Sequence, residues 1–151
     1  MKVQQYHIVC LCSIAVLVLL ISGCNSSNPD GRFAIAGTVS INGDLLSESG
    51  VIEFSPIGSP AVKTPSGATI VKGKYSIPAD KGLVAGEYVV RISASRHTGK
   101  FDESDPMRPP IYESIVPEKY GQASNEKITV AAKATKFDFD LKVEEADFKK
   151  K

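Results

Sequence analysis

The chain has 151 residues, of which 42% are hydrophobic, and its 18 basic and 17 acidic residues leave a formal net charge of +1. This balance excludes the strong positive field that steers proteins to nucleic acid, so we expect no nucleic-acid partner. With three cysteines and two histidines in all, ligands for a zinc site are scarce, and we expect no cofactor and no resident metal.

The amino terminus carries a short basic start, Lys2, followed by an apolar run from Ile8 to Ile21. A run of about 14 residues is too short for a membrane-spanning helix, which needs about 20, and it fits a signal peptide. The run ends in Leu20-Ile21-Ser22-Gly23-Cys24, which resembles the lipobox of bacterial lipoproteins. The resemblance implies cleavage between Gly23 and Cys24 and a lipid on the Cys24 thiol. The alternatives are an ordinary secretory signal with a free Cys24, or a short uncleaved anchor.

Lipidation would place the mature protein in the cell envelope, anchored to a membrane at the periplasmic or outer surface, because buried acyl chains contribute about 0.8 kcal/mol per CH₂. Residues 1–23 are then the signal peptide, and residues 24–32 form a polar, turn-rich tether. Cys10 and Cys12 would leave with the signal, so Cys24 has no disulfide partner. The domain must therefore be stabilised by its core.

Seven strands are predicted in the mature chain from alternating apolar residues and flanking turn signals. Asn42-Gly43 is the strongest hairpin signal, and Pro56 and Pro78 are expected to end strands. The segment Ser95–Glu118 is expected to be a long irregular loop. The domain spans residues 33–143, followed by a charged tail at 144–151. The predicted strands are 33–41, 51–55, 68–71, 75–77, 87–94, 127–131 and 136–143.

This pattern of short strands without a helical period predicts an all-β fold, a seven-stranded sandwich. One face of each strand supplies the core, most clearly in the segment 87–94 and in the last strand, where oily residues alternate with charged ones. The predicted core is Ile35, Val39, Ile41, Ile52, Phe54, Ile70, Tyr75, Ile77, Tyr88, Val90, Ile92, Ile128, Val130, Phe137, Phe139 and Leu141.

Several short motifs occur in a fixed order along the domain. They are Gly37-x-Val39, Asn42-Gly43, Leu46, Gly50-x-Ile52-x-Phe54-x-Pro56, Gly73-x-Tyr75, Gly86-x-Tyr88-x-Val90, residues 115–120, 128–130 and 137–141. The set resembles carboxypeptidase-regulatory-like, transthyretin-like domains, in the version found in small surface lipoproteins of planctomycete bacteria. Ala85 departs from the proline that is more frequent there. The resemblance implies a Greek-key sandwich and an accessory or adhesive role, and no activity.

Candidates for chemistry are few. His97 is the only histidine of the mature chain, and Ser95 and Asp102 are near it in sequence, but nothing in the pattern places them around one ring, as a catalytic triad requires. Asp138 and Asp140 share a strand face about 6–7 Å apart, a spacing that suits paired carboxylates but is also routine on a solvated strand. Hydroxyisourate hydrolases, which are related to transthyretin, use several histidines and have a different carboxyl terminus. We therefore do not expect that activity in this chain.

The segment Ser95–Glu118 is the best candidate for function, because loops longer than about 12–15 residues are usually functional or disordered. Its acidic residues could offer oxygen ligands to Ca²⁺, although no glycine sits where an EF-type loop needs one. Met107, Ile111 and Tyr112 could pack on the sheet or contact a partner. The candidate recognition residues are Arg96, His97, Asp102, Asp105, Arg108 and Tyr112.

The sequence thus favours a non-enzymatic, lipid-anchored envelope protein with a binding or structural β-sandwich. Its partners would be the membrane, through the lipid anchor, and another envelope protein or a cell-wall polymer. The alternative is a Ca²⁺-dependent or enzymatic module with its site in the segment Ser95–Glu118.

Overall fold

A computed structural model of the chain describes residues 31–58 and 64–148. The predicted signal peptide, the cleavage site and Cys24 lie outside the described residues. No α-helix occurs in the described ranges, which contain two 3-10 turns, Ala79–Lys81 and Glu145–Phe148. The strands are β1 (Ile35–Ile41), β2 (Asp44–Leu45), β3 (Gly50–Ile57), β4 (Ser66–Ile70), β5 (Lys74–Ile77), β6 (Gly86–Phe101), β7 (Pro110–Ser114), β8 (Lys127–Val130) and β9 (Phe139–Leu141).

The strands form two sheets, as an all-β sandwich requires. In the first sheet, β1 pairs antiparallel with β5 and β2 and parallel with β9. In the second sheet the order is β4-β3-β6, and both β7 and β8 pair antiparallel with β6. The long β6 is therefore the central strand of the second sheet and pairs with three other strands.

The core lies between the sheets and follows the predicted alternation. Every predicted core residue is buried except Ile41, Ile128 and Phe137, which are half-buried against the same cluster. Four further buried residues, which lie in connections between strands, were not predicted as core from the sequence. They are Leu46, Leu83, Val84 and Val116.

Two dipeptides, Asn42-Gly43 and Lys72-Gly73, occupy turns that require positive φ at both residues. Asn42 and Gly43 both have positive φ, 53° and 95°, and they form the predicted turn, which joins β1 to the short β2 rather than to the next predicted strand. Lys72 and Gly73 repeat the geometry at 50° and 70°, in the connection that carries the chain from β4 in one sheet to β5 in the other. A positive φ at both central residues is what a type I′ turn requires.

Three sequence-based expectations were wrong. The sheets contain nine strands among the described residues rather than seven, because β2 and β7 are additional. Pro56 does not end β3, which continues to Ile57 opposite Glu87. Because β4 ends opposite Phe54, β3 has one unpaired edge at Pro56 among the described residues, and there it tolerates a residue without an N–H.

The third correction concerns the segment Ser95–Glu118, which is not an irregular loop. Strand β6 runs on to Phe101, and β7 pairs with it from Pro110 to Ser114. Alternating apolar and polar residues, which indicate a half-buried strand, are missing here because both faces of these strands are exposed to solvent.

Candidate functional site

Strand β6 continues well past the end of its neighbour β3. The pairing of β3 with β6 reaches Ala94 and stops there. Beyond that point β6 and β7 form a two-stranded antiparallel hairpin, residues 95–114, called here the aromatic ribbon. Seven residues of β6 take part, which corresponds to about 20 Å of strand outside the sandwich.

Three rings share one face of the aromatic ribbon. His97 lies directly opposite Tyr112, with ring centroids 5.6 Å apart, and it also contacts Phe101 at 5.6 Å with an edge-to-face tilt. Tyr112 is 61% exposed and Phe101 48%, and two further apolar side chains, Met107 and Ile111, are 86% and 40% exposed. The ribbon therefore displays apolar surface that the fold does not use for its own core.

The opposite face of the aromatic ribbon is polar and internally paired. The Arg96 Nε donates to Glu113 Oε1 at 2.5 Å, across a directly opposed pair of residues. The Thr98 hydroxyl donates to the Ile111 carbonyl at 2.9 Å, where the register shifts and Gly99 adopts a φ of 79°. Phe101, four residues after His97 in the same strand, nevertheless lies on the face that carries His97.

The tip of the aromatic ribbon uses its acidic residues to shape turns. Asp102 accepts hydrogen bonds from the Ser104 hydroxyl at 2.6 Å and the Ser104 amide at 2.9 Å, and these bonds lower the pKa of Asp102. Asp105 accepts the Met107 amide at 2.8 Å, and Arg108 forms an ion pair with Glu103. Within residues 31–58 and 64–148, no three His, Cys, Asp or Glu side chains are grouped so that they could hold a metal ion.

The predicted recognition residues are thus sorted into three roles. The structure brings His97 and Tyr112 together on the exposed ring face, and it places Arg96 on the opposite face, paired with Glu113. Asp102, Asp105 and Arg108 belong to the tip, where their described contacts are with neighbouring tip residues. Phe101, the third ring, was not selected from the sequence. The available signal was its position four residues after His97 in what proved to be a strand.

The candidate carboxylate pair, Asp138 and Asp140, connects the last strand region to β1 by hydrogen bonds. Asp138 Oδ1 accepts the Thr38 amide and hydroxyl, both at 2.8 Å, and Asp140 Oδ1 accepts the Gly43 amide at 2.8 Å and the Ser40 hydroxyl at 3.1 Å. Each also forms an ion pair with a neighbouring lysine. Hydrogen bonds to the ionised form lower the pKa of both carboxyls, the reverse of what a general acid needs.

The aromatic ribbon and the amino-terminal end of the described chain lie at opposite ends of β6. Arg32 Nη1 donates to the Gly82 carbonyl at 2.9 Å, and the Phe33 amide donates to the Leu83 carbonyl at 2.7 Å. These contacts fall a few residues before β6 begins at Gly86. The 16 residues of β6 correspond to about 50 Å of strand. The ribbon therefore extends away from the end at which the chain enters the domain.

Concave regions also occur elsewhere among the described residues, and Asp140, one of the candidate carboxylates, lines one of them. A shallow groove of about 490 Å³ runs over β1, β5 and the end of β4, with Lys74 and Lys136 among its lining residues. A smaller pocket of about 120 Å³ lies at the sandwich edge between β6 and β9, beside Tyr120 and Glu126. The aromatic ribbon remains the feature that unites several predicted residues.

Comparison with known proteins adds no relative. No protein-family model matches the chain, and neither the curated proteins nor the solved structures yield a match. In the described ranges, no helix has the length and apolar character needed to span a membrane.

Proposed function

We propose that this chain is a non-enzymatic, lipid-anchored protein of the cell envelope whose β-sandwich presents the aromatic ribbon to a macromolecular partner. The observation that carries the proposal is the exposed ring face formed by His97, Phe101 and Tyr112 on a hairpin that extends beyond the sandwich. The partner is another envelope protein or a cell-wall polymer.

The physical reason is the cost of leaving such a surface in water. Aromatic side chains bury large areas and dominate the energetics of interfaces, and tyrosine combines an apolar ring with a hydroxyl that stays hydrated when the ring is free. The rings already contact one another at 5.6 Å, so their side chains lose little further conformational entropy when a partner covers them.

The finer fold assignment is part of the same proposal. A transthyretin-like, Greek-key connectivity, of the kind found in carboxypeptidase-regulatory-like domains, is supported by the order of the glycine motifs along the chain. Two of these motifs meet physical needs of the sandwich: Gly37 packs under a backbone carbonyl, and Gly73 sits in a turn at a φ of 70°. Such domains serve mainly as accessory modules, which agrees with a binding role.

The proposed anchor is the lipid on Cys24, and a single substitution tests it. Cys24→Ala should leave an unprocessed precursor that takes up no labelled fatty acid, whereas the unaltered chain should be shortened and labelled. The measurement is metabolic labelling followed by mass spectrometry of the amino terminus. Fatty-acid labelling that persists in Cys24→Ala would refute the anchor.

The recognition role is tested by truncating the three rings together. In intact cells treated with a membrane-permeable crosslinker, His97→Ala/Phe101→Ala/Tyr112→Ala should form at least tenfold less of the adduct that the unaltered protein forms. The matched control is Val51→Ala/Val71→Ala, which removes two other exposed apolar side chains, 52% and 55% exposed, from the sandwich. Equal adduct from the ring variant, or equal loss from the control, would contradict the assignment.

A further inference from the structure

The outer edge of β7 presents backbone groups that the fold leaves open. The Ile115 amide donates to the Ala94 carbonyl at 3.0 Å, and the Pro109 carbonyl accepts the Asp102 amide at 2.9 Å. Both bonds point towards β6. Since successive residues of a strand direct their backbone groups to opposite edges, the amides and carbonyls of Tyr112 and Ser114 point away from β6.

This edge stands apart from the other strand edges of the described structure. All five residues of β7 are exposed, and neither the Tyr112 amide nor the Ser114 amide has an acceptor among the described residues. Of the other edge strands, β2, β9, β5 and β8 have only two, three, four and four residues, and β4, which matches β7 in length, ends in the buried Ile70. The β7 edge also carries exposed apolar side chains, Ile111 and Tyr112.

Pro110 fixes the length of the open edge. It falls on the same outward set as Tyr112 and Ser114, so the N–H that proline lacks is missing from the outer edge, where no bond inside the fold needs it. The edge therefore offers two donors and three carbonyl acceptors in regular alternation over five residues. Only another extended polypeptide matches such a pattern along its whole length, because a glycan has no backbone amides at strand spacing.

We propose that the aromatic ribbon binds an extended polypeptide segment of another protein, which adds as a further strand to the outer edge of β7. Backbone hydrogen bonds then provide affinity, and the ring of Tyr112, beside the added strand, provides selectivity. This inference rests on the proposed recognition function and names the class of partner.

A second copy of this chain fits the edge less well. Two symmetric antiparallel registers would use both outward amides. The register centred on Tyr112 places each Ser114 carbonyl opposite Pro110, which has no N–H to give. The register centred on Glu113 places two carboxylates directly opposite each other, which is destabilising. A segment from a different protein has neither defect.

The experiment uses the full mature chain and a displayed library of random dodecapeptides. Peptides selected on the unaltered protein should bind Ser114→Ala with unchanged affinity and Ser114→Pro at least tenfold more weakly. Both substitutions remove the hydroxyl that donates to the Val116 carbonyl, so they differ in the outward amide. Near-UV circular dichroism of both variants checks that the ring cluster persists.

A second measurement does not depend on folding of the proline variant. N-methylation of the selected peptide, one residue at a time, should weaken binding at every second position, since alternate amides face β7. Peptides that bind both Ser114 variants equally, or an N-methyl scan without alternation, would overturn strand addition. So would recovery of no peptide, or a concentration-dependent dimer that Ser114→Pro abolishes. If the ring variant loses its crosslinked adduct in cells while Ser114→Pro keeps it, strand addition fails and the recognition function stands.

Discussion

Individual residues of the motifs are explained by packing rather than by chemistry. The Tyr75 hydroxyl donates to the Phe137 carbonyl at 2.8 Å, and a Cβ on Gly37 would overlap that same carbonyl oxygen and lie 2.9 Å from the Tyr75 hydroxyl. Gly37 is therefore required for β1 to approach residue 137. The motif residue identifies a close contact between backbones and says nothing about a ligand.

Gly37→Ala is predicted to destabilise the domain by about 1–3 kcal/mol or more, because the added methyl meets rigid backbone rather than a flexible side chain. Equilibrium unfolding in urea measures the change. The control is Gly121→Ala, whose Cβ would meet nothing nearer than 3.7 Å and which should change stability by less than about 0.5 kcal/mol. Similar losses in the two variants would contradict the packing assigned to Gly37.

We expect the contacts that Asp138 and Asp140 make with β1 to contribute less to stability at acidic pH. Their pKa values are lowered in the fold, chiefly by the Thr38 hydroxyl at Asp138 and by Lys142 at Asp140, so folding favours the ionised form. Their contribution is therefore complete above the unfolded-state pKa, near 3.8, and is lost as the pH falls through the lowered folded-state values.

Between pH 6 and pH 3, the unaltered protein should lose more unfolding free energy than Asp138→Asn/Asp140→Asn, which cannot titrate at these positions. Urea unfolding across this range makes the comparison, with Asp80→Asn as a variant at an exposed position elsewhere. Identical pH profiles for the double variant and the unaltered protein would show that the two carboxyls are not held in their ionised form.

At the scale of elements, the aromatic ribbon and the sandwich should respond differently to truncation. Phe139 is buried and contacts Tyr75 at a ring distance of 6.5 Å, so Phe139→Ala should cost about 3–5 kcal/mol. Tyr112→Ala removes a larger side chain but an exposed one, and it should cost less than about 1 kcal/mol. Thermal or urea unfolding distinguishes the two, and a loss above about 2 kcal/mol for Tyr112→Ala would mean that the ring belongs to the core.

The same contrast explains what the sequence could and could not predict. Strands that bury one face have alternating residues, so β1, β3 and the first half of β6 were found in sequence with their core residues. The second half of β6 and the whole of β7 bury neither face, and their polar residues gave no period. The Asn42-Gly43 turn was predictable because its chemistry is local, whereas Leu83 and Val116 are buried by contacts between distant segments.

For the candidate site, the sequence indicated the segment but not its form. His97 and Tyr112 were selected as residue types, but their contact depends on a register that pairs residue 97 with residue 112. The pairing of Arg96 with Glu113 follows from the same register. Because no buried face fixes this register in sequence, neither contact could be predicted.

At the scale of the whole molecule, the decisive feature is that the amino-terminal end of the described chain and the aromatic ribbon lie at opposite ends of β6. The described chain begins beside Gly82 and Leu83, ahead of β6, and the aromatic ribbon starts about 30 Å along that strand and ends about 50 Å along it. With the proposed lipid on Cys24, this arrangement would place the ribbon on the side of the domain that is farther from the anchoring membrane. The partner would then lie in the space beyond that membrane.

The distance of the aromatic ribbon from the bilayer tests this account most directly. Because Cys24 would carry the lipid, Met107→Cys and Lys81→Cys each provide one reactive thiol for a fluorophore, at the tip of the ribbon and beside the amino-terminal end. In vesicles that hold the lipidated protein and contain lipids with a quencher on the headgroup, the label at residue 81 should be strongly quenched and the label at residue 107 hardly at all. Stronger quenching at residue 107 would contradict the account, since the ribbon would then face the membrane.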